Sequence, residues 1–276
     1  MKRLLERLIR RIARVFAEEV RRELESSEGI KTRGRAQIDV VDALRELASG
    51  PANQELQRVF FWNHRWIAML SERNQRAATE TWDFIDQLDS PLFVLEQFRV
   101  IESRKDEILE FNGHVLDLGV YKGASTRALA RMFPDHTIHG FDSFEGLPED
   151  WAHVVRGSFG EIEGALPDVP SNVILHKGWF DETLGPWAKE HDDQPIMLMR
   201  VDCDIYSSAK TIFTEFGGLI RPGTWILFDE LIGYRGWRQH EFKAFQEFLE
   251  DTGFQVDWVA HGLTYFLVRL RAGNPS

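Results

Sequence analysis

His114-Val-Leu-Asp-Leu-Gly-Val-Tyr-Lys-Gly-Ala-Ser-Thr126, followed by Ile138-His-Gly-Phe-Asp-Ser-Phe144, decides the fold of this 276-residue chain. Val115, Leu116 and Leu118 make a short buried strand that runs into a turn holding Gly119 and Gly123. The missing side chains there let the backbone approach a ligand closely. Ser125 and Thr126 are of the type that caps a following helix. A second hydrophobic strand closes on Asp142, twenty-five residues after Asp117, where a carboxylate can accept both hydroxyl protons of a ribose. Strand, glycine turn, helix and carboxylate-ended strand together read as the start of a Rossmann-like nucleoside site.

The glycine pattern is Asp117-x-Gly119-x-x-x-Gly123. It lacks the GxGxxG spacing that sets a helix N-terminus against a pyrophosphate, so a dinucleotide is disfavoured. An acid two positions before the first glycine suits a ligand with an amine-bearing end. S-adenosyl-L-methionine fits, with its ribose on Asp142 and its amino acid head near Asp117 and Gly119. The plainer alternative is that Asp117 caps a turn and the glycines only close it.

Outward from this core the chain divides by pattern. After Asn112-Gly113, strand candidates at 114–119, 137–142, 173–177, 196–202, 225–229, 254–260 and 264–270 alternate with helices. The first five read as buried runs, which predicts a seven-stranded, mostly parallel α/β sheet covered on both faces. The last two, split by His261-Gly262-Leu263, read as a hairpin at one edge. Residues 36–110 show helical spacing broken at Ser49-Gly-Pro51 and Ser90-Pro91, and read as a helical cap. Within it Phe60-Phe-Trp-Asn-His-Arg-Trp66 is either a pocket wall or plain core. The catalytic domain is then 111–276.

Residues 1–35 form a separate element. Lys2, Arg3, Arg7, Arg10, Arg11 and Arg14 face only Glu6 in the first fifteen residues, while Leu4, Leu5, Leu8, Ile9, Ile12, Val15, Phe16 and Val20 make a helical stripe. Such a basic amphipathic helix over 2–25 suits the anionic inner face of a membrane. It equally suits self-association, a homodimer included, or docking on the protein's own body. Ser26 to Arg35 reads as a linker.

Composition narrows the function classes. A net charge of −11 argues against nucleic acid as partner. Cys203 is the lone cysteine, which excludes an internal disulfide and a cysteine zinc cluster and points to a reducing cytoplasm. No apolar run is long enough to span a bilayer, and the start lacks a secretory signal pattern.

Two strands end in carboxylates. Met197-Leu-Met-Arg-Val-Asp-Cys-Asp204 places Asp202 and Asp204 on one side of the sheet, and Trp225-Ile-Leu-Phe-Asp-Glu230 brings Asp229 and Glu230 to the same level. In open α/β sheets ligands bind beyond such ends, at the switch point beside the first strand. Four carboxylates in one pocket call for a compensating cation, and Mg²⁺ is the natural one. A hydroxyl held by that ion could lose its proton to Asp204 as the methyl group is attacked. The alternative is a set of solvated loop acids.

Gly140-Phe-Asp-Ser-Phe-Glu-Gly-Leu-Pro-Glu149, Lys177-Gly-Trp-Phe-Asp-Glu-Thr-Leu184, Val201-Asp-Cys-Asp-Ile-Tyr-Ser-Ser208 and Arg221-Pro-Gly-Thr-Trp-Ile-Leu-Phe-Asp-Glu230 resemble the macrocin and novobiocin type sugar O-methyltransferases, over about residues 100 to 250. The resemblance implies a class I S-adenosylmethionine methyltransferase, usually Mg²⁺-dependent, that methylates a sugar hydroxyl on a natural product or glycan. By position it makes Asp202 a metal ligand, Asp204 the proton acceptor, and Asp229 with Glu230 the paired metal acids. Asp117, Gly119, Gly123, Asp142 and Ser143 match cofactor contacts, with Ser125 in the same loop. Gly236-Trp-Arg-Gln239 matches a later family segment, so Arg238 is either a substrate contact or part of a surface ion pair. Glu230 replaces the family's second aspartate and Leu231 its following aromatic, a departure that bears on metal binding more than on methyl transfer. Two rivals stand beside this reading: a metal-dependent glycosyltransferase using Asp202-Cys-Asp204 as a DxD motif, and a non-catalytic cofactor-binding scaffold.

Overall fold

The computed structural model describes residues 72–151, 154–160 and 164–273. The basic helix, the linker, the Phe60–Trp66 cluster and residues 36–71 of the expected cap lie outside the described residues. The described part belongs to one compact unit. It begins with α1 (Glu72–Ile85), β1 (Leu92–Phe93), α2 (Gln97–Ser103) and α3 (Lys105–Leu109), then β2 (His114–Leu118), α4 (Ala124–Met132), β3 (Ile138–Asp142) and β4 (Val173–Lys177). It continues with α5 (Phe180–Glu190), β5 (Ile196–Val201), α6 (Tyr206–Phe216), β6 (Trp225–Phe228), α7 (Glu241–Thr252), β7 (Gln255–His261) and β8 (Phe266–Arg271).

All seven expected strands form, and the two-residue β1 joins them in one sheet of order β1-β7-β8-β6-β5-β2-β3-β4. Strands β2 to β6 are mutually parallel. β8 runs antiparallel between β6 and β7, and β1 pairs parallel with β7. The expected hairpin therefore exists, but β8 is interior and β1 extends the sheet beyond β7. So short a strand, exposed and with Pro91 beside it, carries no periodic signal. The order reverses between β2 and β5, which makes the space beyond their carboxyl ends the switch point.

Alternation along each strand feeds two cores. Leu116, Leu118, Phe141, Met199, Val201, Ile226 and Phe228 pack on one face with Leu184 and Trp187 of α5, with α6 and with α7. α6 contributes Ala209, Ile212, Phe213 and Phe216, one helical stripe. Val115, Ile138, Met197, Leu198, Trp225 and Leu227 face the other way, onto Val100, Ile101, Ile108, Leu129 and Phe133. Thus α2 and α3, read from the sequence as cap, are a layer of the sheet's own core. Among the described residues no helix is long and apolar enough to cross a membrane.

Candidate active site

Among the described residues, three of the five non-glycine positions with positive φ follow the carboxyl ends of β2, β3 and β5: Tyr121 (φ 50°), Phe144 (φ 59°) and Asp204 (φ 65°). Left-handed backbone at bulky residues is uncommon, and such strain concentrates where a site over-determines its loops. All three flank the switch point.

Asp142 organises the loop after β2. Its Oδ2 accepts the N–H groups of Val120 (2.8 Å) and Tyr121 (2.7 Å), and its Oδ1 accepts that of Phe144 (2.6 Å). Burial raises its pKa, while the amides of Phe144 and Val120 oppose the shift. Ser143 is buried and its Oγ accepts the Glu145 N–H at 3.1 Å. Asp142 thus stands at the predicted carboxyl end of β3, already tied to the glycine loop.

Asp117 sits near the end of β2, as the sequence reads, and its carboxylate is engaged by the chain's own side chains. It is fully buried, paired in register with Arg200, and its Oδ1 accepts Arg200 Nη1 at 3.2 Å. Its Oδ2 accepts the hydroxyls of Ser125 (2.9 Å) and Thr126 (2.5 Å). Burial pushes the Asp117 pKa up, against the pull of Arg200, Thr126 and Ser125. The expectation that Ser125 and Thr126 cap the next helix is corrected: its N-cap is Gly123, at φ 75°, with no side-chain cap. The two hydroxyls turn inward because a buried carboxylate needs donors more than a solvated helix end does. The glycine reading also shifts. Gly119 is at φ 106°, and an added Cβ would collide with the Asp202 carbonyl. The close approach it permits is to the loop after β5.

The acids meet a cation that belongs to the chain. Asp117, Arg200 and Asp202 share one face by alternation. Arg200 Nη2 donates to Asp202 Oδ2 (2.6 Å) and to Asp229 Oδ1 (3.0 Å), and its side chain is only 5% exposed. Burial alone would lower the Arg200 pKa, but Asp202, Asp229 and Asp117 outweigh it and hold the guanidinium charged. The expected Mg²⁺ set of Asp202, Asp229 and Glu230 does not fit this arrangement. One guanidinium nitrogen already bridges two of the three acids, and among the described residues no three His, Cys, Asp or Glu side chains are grouped to hold a metal. The charge argument that asked for a cation was sound; Arg200, two positions before Asp202, supplies it. The alternation that put the two aspartates on one side also put the arginine there, and this was the signal available in the sequence.

Asp204 sits one turn beyond. Glu241, the first residue of α7, reaches under it: Oε1 accepts the N–H groups of Cys203 and Asp204, each at 3.0 Å. Burial pushes the Glu241 pKa up to about 8, the two amides opposing it. Sequence reasoning did not single out Glu241, since a lone glutamate in an amphipathic helix carries no pattern. Of the two expectations for Arg238, the surface ion pair does not form among the described residues: the side chain is exposed and stacks over Trp237 at 4.2 Å, with Phe242 and Phe84 at 5.4 and 5.7 Å.

Residues 116–231 match the family model described as a methyltransferase domain. The chain is also similar to solved structures. The calicheamicin methyltransferase CalS11 aligns at a TM-score of 0.52 and 17% identity, covering 72% of this chain and 93% of that one. The O-methyltransferase NovP aligns at 0.47 and 18%, covering 64% and 80%. The apo form of CalS11, described as a TDP-rhamnose 3′-O-methyltransferase, aligns at 0.48 and 18%, covering 72% and 95%. A comparison with curated protein sequences gave no match.

Proposed function

From a chain that carries a methyltransferase domain over residues 116–231 and shares its fold with a methyltransferase, we propose transfer of the methyl group of S-adenosylmethionine to a hydroxyl oxygen of a sugar, on a glycan or a glycosylated small molecule. The cofactor lies beyond β2 and β3, its ribose on the Oδ1 edge of Asp142, which accepts one N–H where Oδ2 accepts two. Seating both ribose hydroxyls requires the Val120 and Tyr121 amides to give way. Asp117 acts from beneath, fixing Arg200 and the start of α4, and does not touch the ammonium group.

In the reaction the acceptor oxygen attacks the methyl carbon. The new C–O bond forms as the C–S bond breaks, its electron pair goes to sulfur, and the hydroxyl proton passes to the Asp204 carboxylate. General-base help of this kind is worth roughly 10²–10⁴-fold. The observation that carries the reading is the Asp204 turn: a carboxylate held at φ 65° after β5, the strand beside the one that bears the glycine loop. The sugar as acceptor rests on the motif resemblance. No step is assigned to a divalent ion, because Arg200 holds the place one would take.

The test is labelled-methyl transfer across a panel of glycosides and glycans, with and without chelator. Asp204→Asn should lower kcat by at least about 10²-fold and leave S-adenosylhomocysteine affinity unchanged, because asparagine tolerates the same left-handed backbone. Full activity in that variant, or no affinity for the nucleoside product in the wild type, would refute the assignment.

A further inference from the structure

Glu241 is fully buried, yet the reaction as drawn gives it no part. Its Oε1 is shared between the Cys203 and Asp204 amides at 3.0 Å each, with Cys203 Sγ at 3.5 Å. Its Oε2 is buried and has no hydrogen-bond partner among the described residues. A carboxyl group left half-satisfied in the interior is costly. A helix that wanted only a favourable first-turn acid could leave it in solvent. This one instead points away from α7 into the turn after β5, where Asp204 is at φ 65°. An aspartate in that backbone region persists only where neighbouring groups hold it. Two convergent acceptor contacts on consecutive amides are such a constraint. They fix the peptide plane that leads into Asp204, and with it the direction of the side chain.

We propose that Glu241 is a positioning residue that holds the Cys203–Asp204 turn so that the Asp204 carboxylate meets the acceptor hydroxyl. This rests on Asp204 being the base, as proposed above. The requirement is for a long acceptor that can reach both amides. It predicts a sharp ordering of variants: Glu241→Gln keeps a carbonyl oxygen at the same reach, Glu241→Asp is one methylene short, and Glu241→Ala has no acceptor.

The test compares the three variants with wild type in kcat, in S-adenosylhomocysteine affinity by calorimetry, and in hydrogen exchange of the Cys203 and Asp204 amides. Glu241→Gln should stay within about threefold of wild type in kcat and keep both amides protected. Glu241→Asp should lose about 10²-fold in kcat, the scale of a misplaced reacting group, with cofactor affinity unchanged and both amides exchanging faster. If Glu241→Ala does not fold, the Gln and Asp pair decides. Equal kcat in Asp and wild type, or a Gln variant as slow as Asp at equal thermal stability, would overturn the proposal. Amide exchange is read without turnover. Wild-type protein that protects both amides but transfers no methyl group would therefore indict the reaction assigned to Asp204, whereas unprotected amides would indict Glu241.

Discussion

At the scale of single residues, Arg200 settles most. It joins an acid beneath the glycine loop, Asp117, to two acids on the acceptor side, Asp202 and Asp229, through contacts of 2.6–3.2 Å. Removing one partner of a buried ion pair leaves the other charge uncompensated, which typically costs about 3–5 kcal/mol. Arg200→Leu should therefore lower unfolding stability by about 3 kcal/mol or more in urea titrations. Arg200→Leu combined with Asp117→Asn should recover part of that loss, since the two effects are coupled; strict additivity would argue against a shared network. The same residue sets an ion-binding expectation. Millimolar Mg²⁺ should leave the melting temperature of the wild type unchanged, and a clear Mg²⁺-dependent rise would show that an ion displaces the guanidinium. The place of Val201-Asp-Cys-Asp204 at the carboxyl end of β5 was legible because i, i+2 acids close a hydrophobic run there. Arg200 was legible in principle by the same spacing, but its partner Asp117 lies 83 positions away, and only the register of β2 on β5 brings the two together.

At the scale of elements, α5 closes one face of the sheet over an unusual group. His114 of β2, His139 of β3, His176 of β4 and His191 after α5 surround Trp187, with ring centroids 4.3–6.5 Å from the indole. His139 Nδ1 accepts the Trp187 N–H at 3.2 Å, so that nitrogen carries no proton, and His176 Nε2 lies 3.0 Å from it. Burial, then the neighbouring histidines, pushes the His139 pKa down to about 3; burial also lowers His114 and His176. Asp193, 4.0 Å from His114, and Glu190 near His176 oppose this only weakly. The unfolded chain takes up these protons near pH 6.5 and the folded chain resists them, so the histidines' own contribution to stability is complete above that pH and falls as the pH drops below it. For His139 alone the loss at pH 5 is about 2 kcal/mol. Glu241, raised to about 8, acts in the opposite sense over the same range, so the comparison is between proteins: on going from pH 8 to pH 5 in urea titrations His139→Asn, which keeps an acceptor for Trp187, should lose about 2 kcal/mol less than wild type, and an identical change in both would remove His139 as a source. Every strand from β2 to β8 was readable from sequence because its hydrophobic run is bounded by turn residues. The assignment of Ser125 and Thr126 to a helix cap failed for a tertiary reason: the nearest unsatisfied charge, Asp117, lies on the adjoining strand and outcompetes the local amides.

At the scale of the whole molecule, the reversal of strand order between β2 and β5 brings two loops that never meet in sequence to one rim. The glycine loop is tied to β3 by Asp142, and the Asp204 turn is tied to α7 by Glu241. Each half of the site is thus anchored to a different half of the sheet. Cofactor affinity and proton removal should then separate by mutation, which a melting experiment can read directly. At a concentration 100 times its dissociation constant, S-adenosylhomocysteine stabilises the native state by about 2.7 kcal/mol, a rise of roughly 5–10 °C for a domain of this size. Wild type and Asp204→Asn should show the same rise at the same ligand concentration, because the proposed reaction puts the Asp204 turn in the acceptor half. Asp142→Ala, which removes the proposed ribose acceptor and frees the Val120 and Tyr121 amides, should weaken binding by at least tenfold, the size of one charge-assisted hydrogen bond, and so shrink the rise. A full rise in Asp142→Ala, or its loss in Asp204→Asn, would mean that the cofactor lies across both halves of the rim and that the division drawn from the topology is wrong.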